Sequence, residues 1–590
     1  MIYLIDMENN KEKLSFARHT LAHLLAQAVL QHYPNAHPTL GPAIDNGFYY
    51  DFDFGQDKIA DTDLEKIEKS MKQNLAHWVE FTHKVVTKDE ALAIFKDNVY
   101  KKELIEEIEG RGEKITLYTC GGFTDLCRGG HSENPSGDIA INSFKLDKVA
   151  GAYWRGDEKN KMLTRIYGLA FDNKEELEKY IFQQEEAKKR DHRKIGREME
   201  LFTIIDEIGA GLPLFYPKGA ILRRTIENFI TEIQEKRDFV PIWIPHITKG
   251  KLYEISGHLD KYDAMYNPMK VDEDEYYLKP MNCPHFMMLY KSLPHSYRDL
   301  PIRYVCTTTN YRYEKSGELS GLTRVRALTQ DDCHVFCEAS KIKDEISVMT
   351  SMIKEIYDVF GFNDFYVRIS LRDSKNKQNY LGTDEVWNTA ENALREIVKN
   401  TGWNYKEAEN EAAFYGPKLD FMFKDAIGRE WQLSTIQLDF NLPEKFDLEY
   451  TDNTNTRSRP VVIHRAMLGS VERFMGIMIE HYAGIFPVWL SPVQVTVIPV
   501  RTDKHTDFAK SLVASLKEKN IRVELNNSDD SLGKRINSTK AQKVPYVIVV
   551  GDKEIESNML TIETRTEKIV LSLESFIEKV EKEIKEKTLN

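Results

Sequence analysis

The chain has 590 residues, 41% hydrophobic and 29% charged, with 31 Gly and 20 Pro; this is a globular composition that excludes wholesale disorder and, at ~100–200 residues per domain, predicts about three to five domains. The net charge is −12, which argues against nucleic-acid binding by bulk positive charge but leaves room for a local basic groove; residues 490–590, with 17 basic and 16 acidic side chains, are near neutral, so the acidity lies in the front and middle. No apolar run approaches the ~20 residues of a membrane helix, the start MIYLIDMENNKEKLSF turns charged too early for a secretory signal, and six cysteines are too sparse for a disulfide scaffold, so a reducing cytoplasm is expected.

In chain order the sequence reads as four zones. Residues 1–172 combine a helix over 15–32, a Gly/Asp-rich turn and short strands such as 46–55. Residues 173–200 are highly charged, with apolar positions three and four apart, which predicts one solvated connecting helix. Residues 201–489 begin with an amphipathic helix over 220–236 and continue in strand-like runs, IRYVCTTTNYRY, FYVRISL, FMFKD, REWQLSTIQLDF and VVIHRAM; their succession with short loops predicts antiparallel pairing. Residues 490–590 alternate strand and helix, from VQVTVIPV to a last helix ending at Lys587, which predicts a small α/β domain with a mostly parallel sheet.

Several residues are candidates for chemistry. His19 and His23 in ARHTLAHLLAQ stand four apart on one helix face, a metal-ligand spacing, but without the Glu that a zinc protease places after the first His. Cys127 and His131 in DLCRGGH are also four apart. Either pair alone is more often a surface or core feature; together in one zone they weigh evenly between that and a site. Arg312 lies on a strand before a Gly-containing turn and a returning strand, an arrangement suited to clamping phosphate, since guanidinium binds phosphate bidentately and keeps its charge; an Arg on a strand is more often simply exposed. Arg473 in LGSVERFMGIMIEHY is more often a salt-bridge partner than a ligand contact. Cys333, His334 and Cys337 suggest a local metal site, but on a strand His334 points away from the face that the two cysteines share. Cys283 in KPMNCPHF and His464 in VVIHRAM read as core by default, and spacing alone does not select the ligands.

Together these segments resemble a known family. NYRYEKSGELSGLTRVRALTQDDCHVF is similar to motif 2 of class II aminoacyl-tRNA synthetases, RSRPVVIHRAMLGSVERFMGIMIEHYAGIFPVWLSP to motif 3, and GLPLFYPKGAILRRTIENFITEIQEKRDFVPIWIPHI, with Pro245, to motif 1. KPMNCPHF, TQDDCHVF, AFYGPKLDF and WQLSTIQLDF resemble the threonyl-tRNA synthetase subgroup, and HTLAH, DNGFYYDFDF, LCRGGH and AGAYWRGDEKNKMLTRIYG resemble its editing domain. The resemblance runs from about Phe16 to the C-terminus, with its motifs in the family's order.

The resemblance implies an α+β multidomain protein: an α+β editing domain over 1–172, a linker helix over 173–200, a class II antiparallel-sheet catalytic domain over 201–489 and a C-terminal α/β anticodon-binding domain over 490–590. It implies a cytoplasmic homodimer that uses ATP with Mg2+ to make threonyl-adenylate, transfers threonine to tRNA(Thr), and hydrolyses seryl-tRNA(Thr). One zinc ion per subunit would be held by Cys283, His334 and His464, leaving an open position for threonine. Asp332 would accept from the threonine hydroxyl, with Gln330, Tyr415, Gln437 and Met281 completing the pocket. Arg312 would hold the α-phosphate of ATP, Arg473 the γ-phosphate and Glu314 the adenine amino group, with Arg324 in the same nucleotide site; Lys418 would sit near the reacting carboxylate, and His258 would relay a proton at the tRNA ribose. Valine lacks the hydroxyl and would leave polar groups unpaired, whereas serine differs by one methyl, worth only about 1–3 kcal/mol, so a second, hydrolytic site is expected. His19, His23, Cys127, His131 and Asp125 match that site, which the family uses without a metal.

Two departures from the family stand out. Only about fifteen residues precede Phe16, so the ubiquitin-like module that often opens the family is expected to be missing. Glu554 matches an anticodon-binding residue, but Asp529, Asn537 and Glu563 stand where the bacterial pattern has Asn, Arg and Arg, so altered anticodon contacts are expected. The competing readings are a tRNA-binding paralogue without catalysis, which would be expected to lose the ATP arginines or the Cys283, His334 and His464 set, and a free-standing hydrolase of mischarged tRNA, which would not need residues 201–590.

Overall fold

The computed structural model describes residues 2–425 and 427–589 and separates into two compact units, Met1–Glu185 and Glu186–Asn590. No helix among the described residues is long and apolar enough to cross a membrane.

The first unit begins with α1 (Ile2–His32), which starts well before residue 15 because no Pro or Gly precedes Pro34 to interrupt it. Leu21, Leu24, Leu25 and Ala28 of α1 are buried against Phe48, Tyr50 and Phe52, which alternate along β1 (Gly47–Asp53), and against α2 (Leu64–Leu75). After α3 (Val99–Gly110), β2 (Ile115–Cys120) and β3 (Phe123–Leu126) form a hairpin in a small second sheet. β4 (Phe144–Tyr153) and β5 (Met162–Ala170) complete the main antiparallel sheet, with β5 between β1 and β4.

The stretch 173–200 is two helices rather than the single one predicted: α4 (Lys174–Arg190) and α5 (His192–Glu198). Asp191 leaves helical geometry (φ −50°, ψ 117°), and its carboxylate accepts the Arg193 N–H at 2.8 Å, so a side-chain cap ends one helix and starts the next. Nor is α5 a solvated connector, because His192, Ile195 and Gly196 are buried.

The second unit is built on an eight-stranded sheet. In chain order its elements are α6 (Pro217–Glu235), β6 (Val240–Pro241), α7 (Cys283–Lys291), β7 (Ile302–Tyr311), β8 (Ala327–Cys337), α8 (Ile342–Phe360), β9 (Phe365–Ser370), α9 (Asp384–Thr401), β10 (Tyr405–Ala408), β11 (Lys418–Lys424), β12 (Glu430–Asp439), β13 (Val461–Ala466) and α10 (Val471–His481). The strand order is β6-β7-β8-β13-β12-β11-β9-β10, antiparallel throughout except for the parallel edge strands β6 and β10. One face carries Val305, Cys333, Val335, Cys337, Leu419, Ile436 and Ile463 into a core with α6, α8 and α10. Cys333 and Cys337 are therefore packing residues. The opposite face is left to hold the site.

The C-terminal elements are β14 (Val495–Pro499), α11 (Thr502–Glu518), β15 (Val523–Leu525), α12 (Leu532–Ala541), β16 (Tyr546–Val550), β17 (Leu560–Glu563), β18 (Lys568–Leu571) and α13 (Leu573–Glu586). β15, β14 and β16 are parallel, but β17 and β18 add antiparallel strands, so the sheet is mixed rather than mostly parallel. Between β17 and β18 the Thr564 N–H donates to the Glu567 carbonyl at 2.8 Å, a tight turn with no room for the crossover helix a parallel pair needs.

Candidate active site

Strand register assembles the site of the second unit. His334 of β8 is directly opposite His464 of β13, His464 is opposite Gln437 of β12, and Gln437 is opposite Lys418 of β11. Side chains alternate along a strand, so these four share the open face, and Asp332 joins them two residues along. Cys283 comes from elsewhere, at the first turn of α7, and its Sγ lies 3.8 Å from the Tyr415 hydroxyl.

Cys283, His334 and His464 bring one donor atom each within 4.8 Å of one another, and all three residues are buried. Both ring nitrogens of His334 and Nδ1 of His464 are buried without a hydrogen-bond partner, an arrangement that is costly unless something binds them. The other nitrogen of His464, Nε2, is 2.9 Å from Asp439, which orients the ring and leaves Nδ1 free to act as a ligand. Phe286 stacks on His334 at 4.1 Å, and burial holds that imidazole neutral, well below the usual histidine range, as a ligand must be. One thiol and two imidazoles suit a borderline-soft divalent cation, and three protein ligands leave a coordination position open.

Cys283 and His464 border a cavity of about 290 Å3, with His334 buried behind them. Met281, Gln330, Asp332, Tyr415 and Gln437 line it together with Cys283 and His464, as do Arg312, Glu314, Arg324, Lys418 and Arg473. Burial pushes the Asp332 carboxyl up to about 6, despite a 2.9 Å hydrogen bond from Asn282. Asn282 is held in turn by Lys279, which also donates to Thr308 at 2.7 Å. The sequence reading missed Lys279 and Asn282, although both stand in KPMNCPHF; nothing local signals that they would reach Asp332, some fifty residues on.

Three guanidinium groups line the same cavity. Arg473 is held below the usual arginine range by burial and by the charges of Arg312 and Arg324, a concentration of positive charge suited to a polyphosphate. Its Nε donates to the Thr323 carbonyl at 3.0 Å, while Arg324 pairs with Glu314 and Glu318. α10 begins at this wall, after Gly469 (φ +72°), where a Cβ would lie 2.4 Å from the Leu433 carbonyl. Lys418 sits 3.0 Å from Asp420.

Two predicted residues stand apart from this wall. His258 is fully buried behind Met281, with Nε2 3.3 Å from the sulfur and Nδ1 2.8 Å from Ser256 Oγ, and burial lowers it to about 4. Glu554 has both carboxylate oxygens committed within its own domain, to the Gly551 N–H at 3.0 Å and the Thr561 hydroxyl at 2.6 Å. Of the altered positions, Asp529 and Asn537 are exposed, and Glu563 pairs with Lys540 at 2.6 Å.

The first unit holds a second constellation. His19 and His23 approach at 3.3 Å through their Nε2 atoms, and Cys127 Sγ is 3.5 Å from His19 Nε2 and from His131 Nε2. Asp125, buried, accepts from Tyr50 and lies 3.3 Å from His23 Nδ1 and 2.5 Å from Lys101 Nζ. Lys101 and Tyr50 were not foreseen, since a Lys on a charged helix reads as solvated. His19, His23, Lys101, Asp125 and Cys127 line a cavity of about 370 Å3. Burial disfavours a charged Cys127, but hydrogen bonds from His131, His19 and His23 outweigh it and bring the thiol down to about 3. Burial likewise opposes charge on His23, yet Asp125 and Cys127 raise it to about 9. The four His and Cys donors also lie within 4.8 Å of one another, so this cluster has the geometry to hold a cation as well.

An antiparallel sheet with an arginine-lined nucleotide end and a helix packed behind it defines the catalytic core of a class II aminoacyl-tRNA synthetase. Family models agree: the class II core domain of the G, H, P, S and T tRNA synthetases matches residues 266–482, an anticodon binding domain matches 494–583, and the second additional domain of threonyl and alanyl tRNA synthetases matches 115–167. A threonine–tRNA ligase of Rubrobacter xylanophilus is 47% identical over 581 residues, covering 98% of this chain and 90% of that protein; one of Staphylococcus aureus is 47% identical over 555 residues, covering 94% and 85%. The chain belongs to the threonine–tRNA ligase family. Among solved structures, the RNA binding domain of a Cryptosporidium parvum threonyl-tRNA synthetase is 36% identical with a TM-score of 0.64, covering 66% of this chain and 98% of that one, and a putative threonyl-tRNA synthetase of Aeropyrum pernix is 28% identical with a TM-score of 0.58, covering 68% and 96%.

The charge state of Cys127 can be checked directly. Its alkylation by iodoacetamide in the native protein should change little between pH 6 and 8, because the thiolate is already formed, whereas an ordinary thiol would speed up on the order of 50–100-fold. Cys333 and Cys337, buried and pushed up to about 12, should stay unmodified in the same samples. Peptide mapping by mass spectrometry reads both.

Proposed function

We propose that this protein activates L-threonine with ATP, transfers it to tRNA(Thr), and hydrolyses seryl-tRNA(Thr) at its second site. The observation that carries the reading is one cavity lined by three guanidinium groups, a buried thiol and His464, with His334 behind it, the histidines keeping ring nitrogens that have no partner.

The threonine carboxylate attacks the α-phosphorus of ATP, the bond to the bridging oxygen breaks, and pyrophosphate leaves. Arg312 takes the α-phosphate and Arg473 the γ-phosphate, with Arg324 and Glu314 at the base end and Lys418 beside the attacking carboxylate. These charges are fixed before the reaction and face the negative charge that builds on the phosphoryl oxygens, so they stabilise the transition state without reorganising. Mg2+ bound with ATP would add to that charge. Zinc held by Cys283, His334 and His464 would supply a Lewis-acidic centre for the amino and hydroxyl groups of the amino acid. Asp332 accepts a hydrogen bond from the hydroxyl, fixed in place by Asn282, and Gln330, Tyr415, Gln437 and Met281 close the pocket around the methyl group. The terminal ribose hydroxyl of tRNA then attacks the adenylate carbonyl and AMP departs. His258, placed behind Met281, acts on this step through the ordering of that wall.

In the first unit, water attacks the seryl ester carbonyl, the ester C–O bond breaks, and the proton passes to the departing ribose oxygen. His19, His23, Cys127 and His131 are close enough to share such a proton, and Asp125, anchored by Lys101 and Tyr50, orients His23. We read this site as working without a metal.

Exposed Val240 and Trp243 at and beside edge strand β6 support a homodimer formed through motif 1, and six free thiols suit a reducing cytoplasm. The C-terminal domain would contact the anticodon, with Glu554 held by Gly551 and Thr561 and still able to accept a further hydrogen bond through each oxygen.

Purified protein should catalyse threonine-dependent ATP–pyrophosphate exchange and discriminate against valine by at least about 10³-fold, since valine leaves buried polar groups unpaired; equal exchange with both amino acids would remove the reading. Cys283→Ala should lose the zinc, measured by atomic emission, and with it exchange, while Cys333→Ala keeps both. His19→Ala combined with His23→Ala should leave threonylation within about twofold and let seryl-tRNA(Thr) accumulate; undiminished deacylation of seryl-tRNA would exclude the first unit as the hydrolytic site.

A further inference from the structure

A third cluster, Asp191, His192 and Glu480, also has metal-ligand spacing. Its hydrogen bonds show that it is a closed network instead. His192, buried at the start of α5, approaches Glu480 Oε1 through Nδ1 at 2.6 Å, and its own backbone N–H donates to the same oxygen at 3.1 Å. Glu480 Oε2 is taken by Arg429, which Asp425 holds at 2.7 Å. Asp191 is engaged by Arg193. No lone pair of the histidine is left over, because Nε2 receives the Leu322 N–H at 3.0 Å.

That last contact fixes the tautomer. A backbone N–H can only donate, so Nε2 must accept, and the ring proton sits on Nδ1 facing the carboxylate. The neutral ring is thus a rigid two-ended strut. One end is anchored to Glu480 on α10. The other holds the loop between β7 and β8, which carries Glu314 and Arg324. The next residue along that loop, Thr323, gives its carbonyl to Arg473. Arg473 and Glu480 lie two turns apart on α10, so the loop is pinned to one helix at two adjacent residues, directly through Arg473 and indirectly through His192. The packing leaves no slack: Gly321 has φ +47°, and a Cβ there would lie 2.2 Å from His192 Nε2.

We infer that His192 is a positioning residue for ATP, with Glu480 setting its ring: it touches no substrate but holds the loop at Leu322 so that Glu314, Arg324 and the Thr323–Arg473 contact meet the nucleotide in one geometry. The inference rests on the assignment of this cavity to ATP and threonine made above. The amino-acid end of the cavity is built on strand register and α7, and does not pass through this strut.

The test separates the two ends of the ring. Asn at position 192 offers an amide near Nδ1 but nothing at Nε2; Gln reaches the loop with an oxygen that can accept the Leu322 N–H. In threonine-dependent ATP–pyrophosphate exchange, His192→Asn should raise KM for ATP about tenfold, with KM for threonine within about twofold of the parent, and His192→Gln should recover most of the loss. Zinc content and seryl-tRNA hydrolysis should stay at parental values, while the thermal midpoint falls in His192→Asn, which leaves the Leu322 N–H unpaired. The inference is overturned if KM for ATP does not move in His192→Asn, if KM for threonine rises in parallel, or if Gln is no better than Asn. Should His192→Asn fail to fold, Gly321→Ala displaces the loop from the other side and should show the same selective rise in KM for ATP; an unchanged value overturns the inference. A parent protein without threonine-dependent exchange overturns the functional reading and this inference together, whereas an active parent with unaffected variants overturns this inference alone.

Discussion

The antiparallel register of β8, β13 and β12 is the constraint on which the main site depends. It sets His334 against His464 and His464 against Gln437 on the open face of the sheet. A slip of one residue would turn every one of these side chains into the helical core and bring Cys333 and Arg465 out in their place. The register is secured from the other face, where Val335, Ile463 and Leu438 are buried under α6, α8 and α10. Apolar packing on one side thus fixes the polar geometry on the other. α7 then has only to deliver Cys283 to a place already defined.

Both sites hold polar and charged groups in surroundings that penalise them, and each handles the penalty differently. In the first unit the charges compensate one another: Lys101 and His23 face Asp125, and Cys127 is ringed by imidazoles. That network leaves only Nδ1 of His131 without a partner and suits proton transfer between neighbours. In the second unit compensation is incomplete. His334 and His464 keep nitrogens without partners, and three arginines crowd one end with too few carboxylates to balance them. Such a site suits a cation at one end and phosphates at the other.

The cluster at His192 shows why residue type and proximity alone do not define a metal site. Its three residues match the Cys283 trio in ligand spacing, yet every donor atom already has a hydrogen-bond partner. What distinguishes the two is whether lone pairs are left over. Orphaned nitrogens mark a place for a ligand, and satisfied ones mark a structural joint.

Much of this was legible in the sequence. Binary patterning located the strands 302–311, 430–439 and 461–466 and the amphipathic helix over 220–236, because alternation and 3.6-residue periodicity are local properties, whereas the helices 342–360 and 384–401 were not foreseen. Alternation along β8 also separated His334 from Cys333 and Cys337 before any partner was known. Resemblance to a family, carried by motifs such as KPMNCPHF and VVIHRAM, joined Cys283 and His464 to it. The break at Asp191 was missed because its cap competes with a continuous helical pattern, and the hairpin β17–β18 because two short strands look like a loop between stronger elements. Lys101, Tyr50, Lys279, Asn282 and His192 act through partners far away in the chain, and no local pattern encodes a long-range hydrogen bond. The sequence by itself determined most of the strands and the family; only the tertiary structure decided which donor atoms were left without partners, since that depends on every neighbour the fold brings within hydrogen-bonding distance.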